Sequence, residues 1–221
     1  MSIANNLQAI LASIPTNVSL VAVSKTKPVE AIMEAYNAGQ RIFGENKIQE
    51  MVEKHEALPK DIEWHMIGHL QRNKVKYMAS FVHLIHGVDS FKTLKEINKQ
   101  AKKHNRIISC LLQIKIAKED TKFGLSESAL DEILNNPELT SLTNIKIVGF
   151  MGMASFVSNE DEIRTEFRWL KNLVEQYKNA ATANFQPEII SMGMSGDYNI
   201  AIEEGSTMIR VGSSIFGARN Y

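Results

Sequence analysis

The chain has 221 residues, and its 25 lysines and arginines balance 25 aspartates and glutamates, so the formal net charge is zero. Hydrophobic residues make up 44% and charged residues 23%, a globular balance that excludes a disordered or collagen-like chain and leaves no basic footprint for nucleic acid. The one cysteine, Cys110, cannot close an intramolecular disulfide and suits a reducing compartment.

The first charged side chain is Lys25. Asn5, Asn6, Gln8, Pro15, Thr16 and Asn17 interrupt the stretch before it, so no run of about 18 apolar residues exists there. No Lys or Arg precedes the apolar part, as an export signal requires. The expectation is a cytoplasmic protein with no membrane partner.

Ile3, Leu7, Ile10, Leu11 and Ile14 recur at helical spacing, and Pro15 ends that run. An alternation then sets in. Strands are expected at 20–23, 41–44, 62–67, 82–88, 107–116, 145–149, 188–192 and 208–211. Helices at 28–38, 47–57, 71–80, 90–104, 126–135, 160–179 and 198–204 follow the first seven. Pro28 suits a first helical turn and Gly39 a C-terminal stop. Lys95 to Lys103 reads as a solvated helix face, and Asn135–Asn144 as a loop.

Continuous apolar strands between amphipathic helices mean a parallel sheet covered by helices. Eight units of about 28 residues fit one compact (β/α)₈ TIM barrel over residues 1–221, with an extra N-terminal helix. A doubly wound sheet usually carries a Gly-x-Gly-x-x-Gly turn after its first strand; here that strand runs into Ser24-Lys25-Thr26-Lys27-Pro28. Gly44, Gly68, Gly87, Gly152, Gly193 and Gly212 fall at or just past C-terminal strand ends, the face where barrels build their sites.

Three features carry chemistry. Strand alternation puts Val21, Val23 and Lys25 on one face, so Lys25 stands at the barrel mouth if the valines point inward. A desolvated amine there attacks an aldehyde to form a Schiff base; a lysine at a strand end also snorkels to water, which spacing alone favours. Arg210 alternates with Ile209 and Val211 in an apolar strand and needs a partner, either a buried carboxylate or a ligand on the barrel axis. Ser191-Met192-Gly193-Met194-Ser195-Gly196 and Gly212-Ser213-Ser214 follow the last two strands, where barrels often hold a phosphate on backbone N–H groups. Pyridoxal 5′-phosphate (PLP) offers an aldehyde, a phosphate and a ring nitrogen that an arginine can face.

The segment Val21–Pro28 resembles the lysine segment of the pyridoxal phosphate homeostasis family, relatives of the alanine racemase N-terminal barrel. Phe43–Asn46, Trp64–Lys74, Ser191–Ser195, Gly205–Ser213 and Ile215–Tyr221 are similar to that family in the same order. The resemblance implies Lys25 as the Schiff-base lysine and Arg210 facing the pyridine nitrogen. It implies Ser191, Gly212 and Ser213 around the phosphate, with Asn46 close to the cofactor. Gly212-Ser213 stands where the family more often has Gly-Thr. The segment 113–124 and Gly149–Met153 depart further, which leaves any role of Lys122 open.

Other residues read as packing. His65 and His69 straddle a strand end with no cysteine or carboxylate at ligand spacing, so no metal site is expected from them. Cys110 reads as a packed strand residue, and Met151, Met153, Met192 and Met194 as packing around a ring or core. An arginine at the pyridine nitrogen discourages ring protonation and weakens the electron sink. The resemblance implies that the racemase relatives take their second base from a further domain, which this chain is not expected to supply. The leading expectation is therefore a PLP carrier without robust catalytic activity. Its partners would be small amines or amino acids and PLP-dependent apoenzymes, with a monomer as the expected state. A PLP-dependent amino-acid racemase is the second reading and a barrel aldolase using Lys25 the third.

Overall fold

The computed structural model describes residues 2–118 and 123–218. Eight parallel strands close into a barrel in sequence order, β8 pairing back onto β1. They are β1 (Ser19–Val23), β2 (Ile42–Glu45), β3 (Glu63–Met66), β4 (Leu84–Val88), β5 (Ile108–Gln113), β6 (Ile145–Met151), β7 (Phe185–Ser191) and β8 (Met208–Val211). The helices are α1 (Ile3–Ser13), α2 (Val29–Asn37), α3 (Ile48–Ala57), α4 (Phe91–Lys103), α5 (Glu127–Leu134), α6 (Glu160–Tyr177), α7 (Tyr198–Glu203) and α8 (Ser213–Phe216). This is the expected (β/α)₈ barrel, with α1 as the additional N-terminal helix.

Local chemistry sets the helix ends. The hydroxyls of Ser2, Ser90 and Ser126 accept the backbone N–H of Asn5, Thr93 and Ala129, capping α1, α4 and α5. Asn159 caps α6, whose first turn carries Glu160, Asp161 and Glu162 against the helix dipole. Gly39, at φ 104°, lets the chain leave α2 in a left-handed turn.

Strand alternation divides the core into two layers. Val21, Leu84, Leu111, Met151 and Met208 fill the barrel interior. Leu20, Ala22, Phe43, Trp64, Ile85, Ile209 and Val211 lie in the larger layer shared with the helices. Val21 and Arg210 are paired across β1 and β8, so the inward faces of these two strands adjoin.

The elements differ from expectation in three places. Residues 72–77 form a tight 3-10 helix instead of an α-helix over 71–80. Its inward residues Val75 and Met78 are three apart, the spacing at which a 3-10 helix stacks side chains. Strand β7 begins at Phe185, ahead of Pro187, and β6 runs on to Met151. The β6–β7 pairing passes from Ile147↔Phe185 to Gly149↔Ile189, a shift that carries Pro187, which lacks an N–H, through the sheet. A Cβ on Gly149 would lie 1.9 Å from the Ile189 carbonyl oxygen, so the two backbones meet only because the residue is glycine. Finally, the last strand is followed by the four-residue helix α8.

Candidate functional site

A cavity of about 650 Å³ opens at the C-terminal ends of the strands, within the range of small-molecule sites. Lys25, Asn46, Arg210, Gly212 and Ser213 all line it, together with His69, Gln113, Met153, Met194, Ser195 and Asp197. The structure therefore gathers five of the six residues expected at the site around one cavity. Ser191 is the exception. It is fully buried, and its hydroxyl sits behind Arg210, engaged by neighbouring side chains. Lys122 lies outside the described residues.

The Lys25 turn is built on buried charge. Ser24 donates its hydroxyl to Glu45 Oε1 at 2.6 Å, and its backbone N–H bonds the Gly44 carbonyl. Lys54 Nζ donates to the Ser24 carbonyl at 2.8 Å, to Glu45 Oε1 at 2.8 Å and to Glu50 Oε1 at 2.7 Å. Glu50 also accepts the backbone N–H of Thr26. Thr26 holds a left-handed φ of 64°, a costly state for a β-branched residue that persists only where its surroundings enforce it. Lys25 is thus fixed on both sides. Burial pushes the Glu45 carboxyl up, while the Lys54 ammonium and the Ser24 hydroxyl pull it back. Glu45 Oε2 has no hydrogen-bond partner among the described residues.

Lys27 ties this turn to the other end of the chain. Its ammonium donates to the carbonyls of Phe216, Gly217 and Ala218 at 3.0–3.2 Å, closing the C-terminus of α8. On the β2–β3 side, a Cβ on Gly68 would lie 2.4 Å from the Asn46 carbonyl oxygen, so Asn46 owes its place to a glycine opposite it.

Arg210 closes the floor and is 3% exposed. Its Nη1 donates to Ser191 Oγ at 2.7 Å and its Nη2 to the Gly152 carbonyl at 3.2 Å. Burial brings the guanidinium down to about 10, against the upward pull of the Asp197 carboxylate, so it keeps its charge at neutral pH. Behind it, Ser191 Oγ lies 3.1 Å from His86 Nδ1, and His86 Nε2 lies 3.0 Å from His65 Nδ1. Burial holds both imidazoles neutral, with His65 lowered to about 3. A chain of polar groups thus runs from the cavity floor down through the barrel interior. Sequence reading missed it, although inward alternation of His65 in β3 and His86 in β4 was available as a signal.

The loops after β7 and β8 form the opposite wall. Gly212 donates its N–H to Ser195 Oγ at 3.2 Å, and Met194 donates its N–H to Asp197 Oδ1 at 2.6 Å. The first N–H groups of α8 have no partners within the helix and lie beside Gly212 and Ser213. Met153 and Met194 line the cavity, Met151 packs the barrel interior and Met192 the outer layer. Cys110 is fully buried, and burial pushes its thiol up. His69 stacks on Phe123 near the cavity mouth and lies 3.5 Å from Asp89.

Residues 1–220 match the family described as alanine racemase, N-terminal domain. The chain is 41% identical over 204 residues to the pyridoxal phosphate homeostasis protein of Aquifex aeolicus, covering 91% of this chain and 87% of that one. It is 43% identical over 215 residues to the protein of the same name from Vibrio alginolyticus, covering 94% and 89%. PipY of Synechococcus elongatus PCC7942, solved with PLP bound, superposes with a TM-score of 0.88 at 34% identity over 98% of this chain and 100% of its own. Alanine racemase of Clostridium difficile shares the fold, with a TM-score of 0.80 at 16% identity, but only 60% of its length is matched. A barrel mouth with a lysine on the β1 face and a buried arginine on β8 is the setting in which these likenesses fall, and the chain belongs to the pyridoxal phosphate homeostasis protein family, on the barrel of the alanine racemase N-terminal domain.

Proposed function

We propose that this protein binds pyridoxal 5′-phosphate in the cavity, holds it reversibly through Lys25, and serves PLP homeostasis by passing it to apoenzymes. The carrying observation is that Lys25 and buried Arg210 line the same cavity, from the adjoining inward faces of β1 and β8. The residues fit the group: an amine at the rim, a cation in the floor, and hydroxyls and the first N–H groups of α8 between them. When bound, PLP supplies an aldehyde carbon that amines take up and exchange reversibly.

The chain's own residues divide the work. Lys25 Nζ is the amine for the aldehyde carbon, presented by the rigid Ser24–Thr26 turn. Arg210 stays protonated and offers an N–H edge to the ring nitrogen, which it cannot relieve of charge or supply with a proton. Ser191 orients Arg210 by accepting its Nη1 hydrogen. Gly212, Ser213 and the first N–H groups of α8 suit the phosphate, with Ser195 fixing Gly212. Asn46 faces the same space from the β2 end.

The relatives named for homeostasis are matched over nearly all their length, which favours carriage over racemisation. We further propose one barrel domain over residues 1–221, a monomer, a cytoplasmic location and small amines or amino acids as exchange partners. Among the described residues, no helix is long and apolar enough to cross a membrane. The test is a PLP titration followed by absorbance. The wild type should bind one equivalent and release it to an added apoenzyme, and Lys25→Ala should lose the saturable spectral change. Rapid turnover of any amino acid in a chiral assay would overturn the carrier reading.

A further inference from the structure

A second group of side chains lies at the opposite, N-terminal end of the barrel. Glu63 opens β3, His65 follows two residues later on the same inward face, and His83 immediately precedes β4. One ligand atom from each lies within 4.8 Å of the others. Glu63 Oε2 and His83 Nε2 are 3.6 Å apart, and the His65 and His83 rings lie nearly parallel with centroids 5.7 Å apart.

His65 separates this group from an ordinary surface ion pair. It is 1% exposed, its Nδ1 is taken by His86, and its Nε2 has no hydrogen-bond partner among the described residues. A buried polar nitrogen left without a partner is costly. With Nδ1 engaged by His86, Nε2 is the ring nitrogen left to join Glu63 and His83, which offer ligand atoms nearby. Their side chains, 44% and 54% exposed, reach water.

We propose that Glu63, His65 and His83 bind a divalent transition-metal ion, of the class represented by Zn²⁺. Two imidazoles and a carboxylate suit a borderline ion better than Mg²⁺ or Ca²⁺, which take oxygen ligands. Three protein ligands plus water complete a tetrahedron. Ligand atoms around zinc lie roughly 3.3 Å apart, given bonds of about 2.0–2.1 Å. Closure from the present spacing therefore takes inward movement of the two exposed side chains by about an ångström or so. His65 already has the outer partner that metal-bound histidines require: with its Nε2 on the metal, its Nδ1 carries the hydrogen and donates to His86 Nε2. His86 then donates from Nδ1 to Ser191. The sequence offers no metal site from His65 and His69, which straddle a strand end without a cysteine or carboxylate at ligand spacing. The carboxylate and second histidine lie instead at the beginnings of β3 and β4.

The test is equilibrium dialysis of the full chain against ZnCl₂ near neutral pH, with MgCl₂ in parallel. One Zn²⁺ per chain is expected, with a raised melting temperature and no comparable effect of Mg²⁺. His83→Ala and Glu63→Gln, both at half-exposed positions, should keep the metal-free melting curve and weaken Zn²⁺ binding at least about tenfold. His104→Ala, on the exposed end of α4, should leave binding unchanged. Absence of saturable binding by the wild type, or equal affinity in His83→Ala, would overturn the assignment.

Discussion

Replacing Lys54 by Met probes how the Lys25 turn is held. Lys54 is 6% exposed, and its ammonium bonds three acceptors, all within 2.8 Å. Its loss strands the Glu45 carboxylate with only the Ser24 hydroxyl, and breaking a buried pair from one side costs about 3–5 kcal/mol. The Glu45 carboxyl already sits above its ordinary value through burial, with Lys54 as the first influence pulling it down. A carboxyl raised above its unfolded value of about 4.3 favours the fold most at low pH. That contribution is lost as pH rises through the folded value. Without Lys54 the rise is larger, so the penalty grows with pH. Protonation of Glu45 relieves the stranded charge, so the penalty should be smaller at pH 5 than at pH 8 and approach that of the lost hydrogen bonds alone, roughly 1–2 kcal/mol. Urea unfolding of wild type and variant at both pH values measures this, and Glu45→Gln added to Lys54→Met should recover part of the loss at the higher pH. PLP loading should also fall, because Thr26 is released from a left-handed backbone worth about 1–3 kcal/mol of strain. A loss below about 1 kcal/mol, or one as large near pH 5 as near pH 8, would refute the reasoning.

Other consequences are simpler to read. Ser191→Ala removes the acceptor of Arg210 Nη1 and the partner of His86, and should cost about 1–3 kcal/mol in thermal unfolding together with weaker PLP binding; unchanged values of both would show that Ser191 is dispensable to the floor. Gly68→Ala puts a methyl group 2.4 Å from the Asn46 carbonyl oxygen, and a PLP titration should show weakened loading; wild-type loading would mean that the position of Asn46 is immaterial. Cys110, buried with its thiol pushed up, should resist a thiol reagent until the protein unfolds; fast modification of the native chain would contradict this packing.

Much of this architecture was readable before any coordinates. Strands such as Leu20–Val23 and Met208–Val211 are buried on both faces, so they appear as short apolar runs between amphipathic helices. Period-two alternation sufficed to bring Lys25 and Arg210 to the same face as Val21 and Met208. What escaped was decided by tertiary contacts. The strand expected at 188–192 starts three residues earlier, because the β6–β7 register shift carries Pro187 through the sheet. Ser191 was expected toward the phosphate, yet its inward side chain faces Arg210 from behind. Lys54 gave no local sign of burial, because its partners come from β1, β2 and its own helix. Glu63 and His83 are 20 residues apart and meet only through the pairing of β3 with β4.

The most direct measurement is peptide mapping by mass spectrometry after the PLP-loaded protein is reduced with borohydride. A single pyridoxyl modification on Lys25 is the predicted result. A modification carried by Lys27 or any other lysine, with Lys25 intact, would contradict the account.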